Sequence, residues 1–560
     1  MERLYKTLFL IIVIIALCTL LFGTDMVILN GKIFTVDPNE PYAEALAIQG
    51  NIIAAVGKTA DIEKLVTPAT TVIDAKSRLV TPGFNDAHLH FISGGQSLLE
   101  LDLAGCRRSE DIQKKLRVVA ECTPVGAWIT GRGWDHTLFN NGQWPVKEML
   151  DVVIPDHPVF LRRIDGHVGW ANSYALRLAG ISSETPNPEG GEIVRDALTF
   201  GATGILKETA MQMVAEIIPA NSTEQKERAL DKALKDAARL GVTSIQDNSG
   251  IETIELYQKR FLSGQLTVRV SEWLDFDVAQ TPEKLRQTYE YYSAYTEPDM
   301  LRLGLVKGFV DGTLGSRTAY FFTPYADNPA TVGLPQYTQE ELEKLAFAAD
   351  SLNMQIGLHC IGDKANWMAL TAYEKARDQN NRKDLRHRIE HTQVLRLEDI
   401  PKLAQLGVVA SMQPTHCTSD LRWAEQRIGH ERCKGAYAWR KILLAGGVIA
   451  FGTDWPVEPL DPMRGLYSAV TRKNIESGEP ANGWFADQCL TIEEAIYCYT
   501  MASAYAEHQE KRKGSITPGK LADIIILSND VLTCQPKDIL STKVDMTIFN
   551  GNIIYTRPGI

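Results

Sequence analysis

The stretch GFNDAHLH at residues 83–90 places His88 and His90 one residue apart, at the end of an apolar run that begins at Leu79. Side chains on a β-strand alternate between its two faces, so these two imidazoles point the same way, about 7 Å apart. Two histidines at that separation can bind one metal ion. An exposed strand with two solvated histidines is the other interpretation, and the motif alone leaves both open.

The centre of the chain alternates short apolar segments with amphipathic helical ones. Eight strands are predicted, at 79–90, 241–247, 266–274, 303–312, 354–362, 386–393, 407–414 and 447–454. Helical patterns separate them, such as the one that opens with Ser222 as N-cap and closes on Gly241. This alternation predicts an α/β fold, a (β/α)8 TIM-like barrel. A doubly wound open sheet is the alternative, but no G-x-G-x-x-G motif follows the first strand.

Both ends of the chain carry strands that we predict to form one small β-sandwich domain. DMVILNGKIFTVD at 25–37 and DMTIFNGNIIYT at 545–556 each contain a strand, an Asn-Gly turn and a second strand, which predicts two hairpins. The segment after His90 is far longer than a βα loop needs, which predicts an inserted subdomain after the first barrel strand. The predicted boundaries are 24–78 and 511–560 for the β-sandwich, 79–510 for the barrel and about 100–220 for the insertion.

The first 23 residues differ in composition from the rest of the chain. MERLYK carries two positive side chains, and TLFLIIVIIALCTLLFG at residues 7–23 contains no charged residue. This pattern is typical of a signal peptide or a signal-anchor, and both assignments of residues 1–23 stay open. We therefore expect a protein that is exported or membrane-anchored, in the secretory pathway or cell envelope.

The charge balance argues against a nucleic-acid partner. The formal net charge is −11, and no basic run is longer than KRK at 511–513. A phosphate-binding surface needs clustered lysine and arginine, which this sequence lacks. We expect a small-molecule substrate, and the sequence leaves a homo-oligomer open.

Polar residues recur at the ends of the predicted barrel strands. They are His88 and His90 in strand one, Lys307 in strand four, His359 in strand five, His391 in strand six and Asp454 in strand eight. Active sites of such barrels lie at the C-terminal ends of the strands, so these side chains are predicted to share one face. A single histidine or aspartate there is more often a hydrogen-bonded turn residue. A lysine inside an apolar strand is costly unless it is paired or modified, and the joint pattern favours a metal site.

These motifs resemble the amidohydrolase superfamily, in particular its YtcJ-like branch, amidohydrolase family 3. HLH is followed in order by VKGFVDGTLGSRTA, LHCIGDKAN, RIEHTQ and FGTDWP, and the resemblance extends from about Asp25 to the C-terminus. The metal ligands that it implies are His88, His90 and Asp454 for one divalent metal, His359 and His391 for a second, and carboxylated Lys307 as the bridge. His416, just after strand seven, matches no ligand position of the family.

The resemblance also implies an activity. It is hydrolysis of a carbon–nitrogen bond other than a peptide bond, in a small organic substrate, by metal-activated hydroxide. Two Zn²⁺ ions suit the histidine-rich ligands, with iron, manganese or nickel as alternatives. Asp454 is expected to orient the water and to carry its proton to the leaving nitrogen. The alternative is a catalytically inactive binding or regulatory protein with the amidohydrolase fold.

Two further residues are candidates for contact with the substrate. His167, in the insertion, is predicted to hydrogen-bond the substrate or the transition state, and its other interpretation is a histidine that holds its own loop. Arg317 is predicted to bind a substrate carboxylate, with a brace against Asp311 as the alternative.

Overall fold

The structure is a computed structural model that describes residues 24–560 apart from 137, 138, 140–142, 164–167, 189, 190, 220, 221, 277–280 and 383. It divides into two compact units, one with the chain up to Ser93 and from Ala233 onward, the other Gly94–Lys232. None of the described helices is long and apolar enough to cross a membrane. The apolar segment at residues 7–23 lies outside the described residues.

The first strands of the chain belong to two sheets. In chain order the elements are β1 (Met26–Leu29), β2 (Lys32–Phe34), β3 (Tyr42–Ala43), β4 (Ala45–Gln49), β5 (Ile52–Gly57), α1 (Thr59–Ile62), β6 (Thr71–Asp74) and β7 (Leu79–Pro82). One sheet has the order β5-β4-β1-β6, while β2, β3 and β7 belong to the other. The apolar residues of the first sheet, β5-β4-β1-β6, include Ile28, Leu46 and Ile48, which are fully buried.

After β8 (Phe84–Leu89) and α2 (Phe91–Ser97), the chain forms the second unit. Its elements are β9 (Leu101–Asp102), α3 (Ser109–Glu121), β10 (Ile129–Trp134), α4 (Glu148–Asp151), β11 (Val159–Arg163), β12 (Val168–Ala171), α5 (Ser173–Leu178), β13 (Gly191–Arg195), β14 (Ala202–Glu208) and α6 (Gln212–Ala215). They contain a mixed sheet of order β13-β14-β12-β11-β10-β9. The rings of Trp134 and Trp170 pack in its core with centroids 5.7 Å apart. The predicted insertion at about 100–220 falls within this unit.

The barrel resumes with α7 and runs to α19. Its further strands are β15 (Val242–Asp247), β16 (Arg269–Asp275), β17 (Leu301–Phe309), β18 (Ile356–His359), β19 (Arg388–Glu390), β20 (Val409–Met412) and β21 (Val448–Phe451). The helices are α7 (Thr223–Leu240), α8 (Ile254–Leu262), α9 (Pro282–Ser293), α10 (Gln339–Ser351), α11 (Asp363–Asn380), α12 (Ile400–Leu406), α13 (Pro414–Asp420), α14 (Ala424–Ile428), α15 (His430–Cys433), α16 (Trp439–Leu444), α17 (Pro462–Thr471), α18 (Ile492–Cys498) and α19 (Met501–Ala506). The eight strands are parallel in the order β21-β20-β19-β18-β17-β16-β15-β8. The predicted α/β barrel is confirmed.

The two edge strands of this sheet, β8 and β21, meet just beyond their ends. Asp454 N donates to His88 O at 2.7 Å, and His90 N donates to Trp455 O at 2.8 Å. A Cβ atom on Gly452 would lie 2.5 Å from His88 N, so a glycine is needed where the last strand passes the first. These bonds nearly close the barrel, and three of their four backbone groups belong to predicted site residues: His88, His90 and Asp454.

The C-terminal strands complete the second sheet of the β domain. They are β22 (Ile524–Leu527), β23 (Val544–Phe549) and β24 (Asn552–Thr556), with α20 (Pro536–Ile539) between the first two. The sheet order is β24-β23-β22-β7-β2-β3, so strands from both chain ends lie side by side. Ile33 and Val80 from the N-terminal part are buried in the same cluster as Ile526 and Ile548.

The two Asn-Gly sequences adopt different conformations. Across Asn550 and Gly551, β23 pairs with β24, and both residues have positive φ (52° and 78°), as a type I′ turn requires. Asn30 also has a positive φ of 53°, but Gly31 does not. There β1 joins β4 and β6, whereas β2 joins β3 and β7. The predicted N-terminal hairpin is therefore wrong, because the chain changes sheets at Gly31.

The apolar run at 79–90, predicted as one barrel strand, is two strands. Its first part, β7, pairs with β2 and β22 in the β domain, and its second part, β8, belongs to the barrel. Gly83 separates them, and a Cβ atom there would lie 2.3 Å from Thr243 Oγ1. A single apolar run thus serves two sheets, which periodicity alone does not distinguish.

Deleting residues 542–560 is expected to destabilise the whole first unit. The deletion removes β23 and β24, including the buried Ile548, and a buried side chain of this size contributes about 1.5–3 kcal/mol. It also removes Asp545, which pairs with Arg78 at 2.7 Å, and Thr547, which donates to Ala238 O at 2.7 Å. We expect a melting temperature lower by several degrees in calorimetry. Deletion of the exposed residues 558–560 is the control, and equal melting temperatures for both deletions contradict a shared domain.

Candidate metal centre

The residues that the sequence analysis assigned to a metal lie at the C-terminal edge of the barrel sheet. They are His88 on β8, Lys307 on β17 and His359 on β18, with His90, His391 and Asp454 just after β8, β19 and β21. His391 and Asp454 have φ of 72° and 59°, a left-handed backbone that is uncommon for residues other than glycine. Such conformations cluster at functional sites, where the surrounding structure holds them.

The carboxylate of Asp454 is the common neighbour of several imidazoles. Its Oδ1 lies 3.3 Å from Nε2 of His90 and 3.5 Å from Nε2 of His88. Its Oδ2 lies 3.6 Å from Nε2 of His416. One ligand atom from each of His88, His391 and Asp454 lies within 4.8 Å of the other two. This group therefore takes residues from both of the predicted metal sites.

Each of the four predicted histidine ligands has one ring nitrogen bonded to a fixed acceptor. The pairs are His88 Nδ1 with Glu390 Oε2 (2.7 Å), His90 Nδ1 with Asn248 O (2.8 Å), His359 Nε2 with Gly312 O (3.1 Å) and His391 Nδ1 with Gln413 Oε1 (2.7 Å). Because all four partners are acceptors, the bonded nitrogen of each neutral ring carries the proton. In His88, His359 and His391 the other nitrogen keeps its lone pair, which is the arrangement found around metal-binding histidines, whereas Nε2 of His90 is hydrogen-bonded to Asp454.

Burial keeps three of these histidines neutral. It lowers the pKa of His88 to about 4 and the pKa of His359 to about 3, and the positive charge of Lys307 adds to both shifts. Burial also holds the pKa of His391 well below its usual value. A neutral imidazole has the lone pair that a metal ion needs, so these side chains are ready ligands at neutral pH.

Asp454 is ionised despite its burial. Burial acts to raise the pKa of Asp454, but the hydrogen bond from His90 and the nearby His88 outweigh it and hold the pKa well below its usual value. Burial acts to lower the pKa of His90, but the same carboxylate outweighs that effect and raises it. The centre therefore contains a buried anion beside the imidazoles.

Lys307 is the unusual member of the group. It is 3% exposed, and its Nζ has no hydrogen-bond partner among the described residues. The amine lies 4.1 Å from the ring centroid of Phe309 and 5.7 Å from that of Trp273. Burial lowers the pKa of Lys307 to about 8, although the charges of Glu390 and Asp454 oppose the shift. A much larger share of this amine is neutral at neutral pH than for a surface lysine.

Comparison with known proteins shows the family to which the chain belongs. The sequence matches the amidohydrolase family over residues 71–555. The chain belongs to the amidohydrolase family. The predicted resemblance is confirmed, and the protein is a hydrolase of this family.

Three relatives illustrate the family. The chain is 33% identical to the putative amidohydrolase YtcJ of Bacillus subtilis over 537 residues, which cover 94% of this chain and 99% of that protein. It is 28% identical to N-substituted formamide deformylase of Arthrobacter pascens over 552 residues, covering 96% and 99%. The solved structure of an uncharacterized metal-dependent hydrolase from Pyrococcus furiosus is 30% identical, with a TM-score of 0.73, and covers 91% of this chain and 100% of its own.

Of the two predicted substrate contacts, only Arg317 lies among the described residues. Both oxygens of Asp327 accept hydrogen bonds from Arg317, at 3.1 and 2.9 Å, and Asp327 also pairs with Arg427. The predicted brace against Asp311 is wrong, because that carboxylate instead accepts three backbone N–H groups. His167 lies outside the described residues, and its role stays a prediction.

Two further members of the centre, His416 and Glu390, were not among the predicted site residues. His416 stacks on His391 with ring centroids 5.8 Å apart and an interplanar angle of 18°. Glu390 is fully buried and accepts the hydrogen bond from His88. Both had a signal in the sequence, since His416 follows a barrel strand and Glu390 is a charged residue inside another barrel strand.

A buried carboxyl pair supports the strand ends beside the centre. Glu272 on β16 lies opposite Asp247, the last residue of β15. Asp247 accepts hydrogen bonds from Phe91 N at 2.7 Å and from Tyr257 OH at 2.5 Å, so it holds the residue after His90. Burial raises the pKa of Asp247, and burial together with the charge of Asp247 raises the pKa of Glu272 well above its usual value.

Replacing Glu272 with glutamine is expected to remove a pH-dependent loss of stability. In the unfolded chain Glu272 releases its proton near its ordinary pKa of 4.5, whereas the native protein keeps the proton to a higher pH. The native state then binds more protons, so the free energy of unfolding falls as pH rises from 4.5 through the native pKa. Urea unfolding at about pH 5 and about pH 8 measures the fall, which should be smaller in Glu272→Gln. The exposed Glu374→Gln is the control, and an unchanged fall in Glu272→Gln contradicts the assignment.

Proposed function

We propose that the protein hydrolyses a carbon–nitrogen bond, of an amide-like and non-peptide kind, in a small organic substrate, with a divalent metal as cofactor. The observation that carries the proposal is the set of four imidazoles, each with one nitrogen bonded to a fixed acceptor, grouped with an ionised aspartate. Family membership supports hydrolysis. The name of the deformylase relative, N-substituted formamide deformylase, describes a reaction at such a bond.

The residues present fit a divalent metal. Neutral imidazole nitrogens and a carboxylate are ligands that Zn²⁺ prefers, and His88, His391 and Asp454 lie close enough together to supply both. Lys307 fits carboxylation, because only a neutral amine reacts with CO₂ and burial raises its neutral fraction. We therefore propose two Zn²⁺ ions, held by His88, His90, Lys307, His359, His391 and Asp454, with carboxylated Lys307 as the bridge.

The chain's own residues divide the work of the reaction. A bound divalent metal supplies a Lewis acid that polarises a carbonyl group and lowers the pKa of water. Asp454 is ionised and hydrogen-bonded to His90, and we propose that it accepts a proton from the attacking water and passes it to the leaving nitrogen. His416 presents a buried Nε2 that has no hydrogen-bond partner in the described chain, and we propose that this nitrogen contacts the substrate carbonyl oxygen.

Phe309 offers an apolar contact for the substrate. Its side chain covers the amine of Lys307, and its ring centroid lies 5.4 Å from that of His359, yet Phe309 is 46% exposed. An exposed phenylalanine at the edge of a polar centre stabilises a bound apolar group when both lose contact with water. We propose a substrate with an apolar substituent next to the scissile amide.

Localisation and partners are part of the same proposal. We propose that residues 1–23 act as a signal peptide or signal-anchor, so that the protein is exported or anchored in the membrane through residues 7–23. N-terminal sequencing of the protein purified from its own cells distinguishes the two forms. A small molecule is the proposed partner, and sedimentation of the purified protein gives the oligomeric state.

Replacing His88 and His90 together with alanine is expected to remove bound metal and hydrolysis. Each supplies one of only a few bonds to the metal, so the loss of both removes most of one site. Metal content per chain, measured by mass spectrometry after zinc reconstitution, should fall by at least one ion. Hydrolysis is measured on N-formyl, N-acyl and cyclic amides. His430→Ala, an exposed histidine, is the control.

Two results contradict the assignment. Full metal content in the double variant shows that His88 and His90 are not ligands. A native protein that retains neither metal nor hydrolytic activity supports the inactive binding or regulatory alternative.

Replacing Lys307 with alanine is expected to abolish activity that a short carboxylic acid partly restores. The variant loses an anionic bridging ligand and leaves space for a free carboxylate. Lys307→Arg should stay inactive with or without the acid, because a guanidinium remains protonated and cannot take up CO₂. Partial activity with a raised KM in Lys307→Arg indicates instead an ammonium that binds substrate. An unmodified amine at Lys307 in a protein with two bound metals, seen by mass analysis, contradicts the carbamate.

A further inference from the structure

Strand β19 carries two opposite charges into the interior of the barrel. Arg388 is 1% exposed and Glu390 is fully buried. The guanidinium and the carboxylate make two bonds, from Arg388 Nε to Oε1 at 2.8 Å and from Nη2 to Oε2 at 3.0 Å. Such a bidentate pair holds the carboxylate of Glu390 in its ionised form.

This carboxylate also accepts the hydrogen bond from a predicted metal ligand. Glu390 Oε2 lies 2.7 Å from Nδ1 of His88. The acceptors of the other three histidine ligands are neutral: the carbonyl oxygens of Asn248 and Gly312 and the amide oxygen of Gln413. His88 therefore differs from the others, because the acceptor bonded to its Nδ1 carries a full negative charge.

Arg388 is itself fixed by four strands. Its Nη1 donates to the side-chain oxygen of Gln246 on β15, and its Nη2 donates to Ala87 O on β8 at 2.7 Å and to Ser411 Oγ on β20 at 2.9 Å. With its bonds to Glu390 on its own strand, the guanidinium has partners on every side. The carboxylate that it holds has little freedom to turn away from the histidine.

We propose that Glu390 is a positioning residue for the metal centre. It fixes the Nδ1–H form of His88 and, through its charge, makes Nε2 of His88 a stronger metal ligand, while Arg388 keeps the carboxylate in place. The inference rests on the proposed metal-dependent function and adds an outer partner that sets the strength of one ligand. Loss of such partners typically lowers metal affinity about 10–100-fold.

The same strand region offers a matched control. His387 Nε2 lies 3.0 Å from Asp350 Oδ2, a second buried carboxylate–histidine pair. Its Nδ1 accepts a hydrogen bond from Ile356 N at 3.2 Å, so both ring nitrogens of His387 are occupied. This pair therefore has the same chemistry without a free lone pair for a metal. Asp350→Asn tests the general effect of removing a buried carboxylate next to a histidine.

The test measures zinc affinity by competition with a chelator, and the absorption spectrum of the cobalt-substituted protein. Glu390→Gln keeps an oxygen that can accept from His88 but removes the charge, and it leaves buried Arg388 unpaired. The double variant Arg388→Met/Glu390→Gln removes both charges and protects the fold from that unpaired cation. We expect both variants to bind zinc about 10–100-fold more weakly and to shift the cobalt bands. Asp350→Asn should keep native affinity and spectrum.

The double variant separates positioning from stability. If the charge of Glu390 acts on His88, the double variant has a higher melting temperature than Glu390→Gln, but its zinc affinity stays low. Native zinc affinity and an unchanged cobalt spectrum in the double variant overturn the proposal and leave the proposed function intact. An equal loss of affinity in Asp350→Asn also overturns it. If the native protein binds neither zinc nor cobalt, the proposed function itself is overturned.

Discussion

The hydrogen bonds that join the first and last barrel strands are the constraint on which the rest of the centre depends. Asp454 N donates a hydrogen bond to His88 O. The carboxylate of Asp86 accepts hydrogen bonds from Thr453 N at 3.0 Å, from Thr453 Oγ1 at 2.6 Å and from His88 N at 3.2 Å. The same contacts that close the barrel therefore set the distance from Asp454 to the two histidines. A Cβ atom at Gly452 would clash with the backbone of His88, so a larger residue there would disturb both the closure of the barrel and the geometry of the site. Both depend on the same few atoms.

Much of this arrangement could be predicted from the sequence. The eight strands could be found because apolar segments bounded by turns recur between helical patterns, and strand-end residues of parallel strands must meet at one edge. His88, Lys307 and His391 follow from that rule alone. Which strands pair in the β domain could not be predicted, because Asn30-Gly31 and Asn550-Gly551 read alike and differ only in the φ of the glycine.

Side-chain contacts between residues that are distant in the sequence could not be predicted either. Arg317 was predicted to reach a substrate or Asp311, yet it pairs with Asp327, and the choice among acidic neighbours is made only by the folded loop. Glu390 and His416 had local signals, but their roles depend on which residues face them across the barrel. A pattern shows that a charge is buried, while its partner is set by tertiary packing.

Burial keeps histidine ligands of the centre neutral, and it also makes the amine of Lys307 partly neutral. Loss of contact with water lowers the pKa of His88 and of His359, and this keeps their lone pairs available. The same desolvation lowers the pKa of Lys307 to about 8, so that its amine is partly neutral, which reaction with CO₂ requires. The proposed carbamate would turn a buried cation into an anion, and like the carboxylate of Asp454 it would attract divalent cations. The apolar surroundings of Lys307 thus affect both the protonation of the ligands and the charge of the site. A substitution that lets water reach the amine should weaken both of these effects.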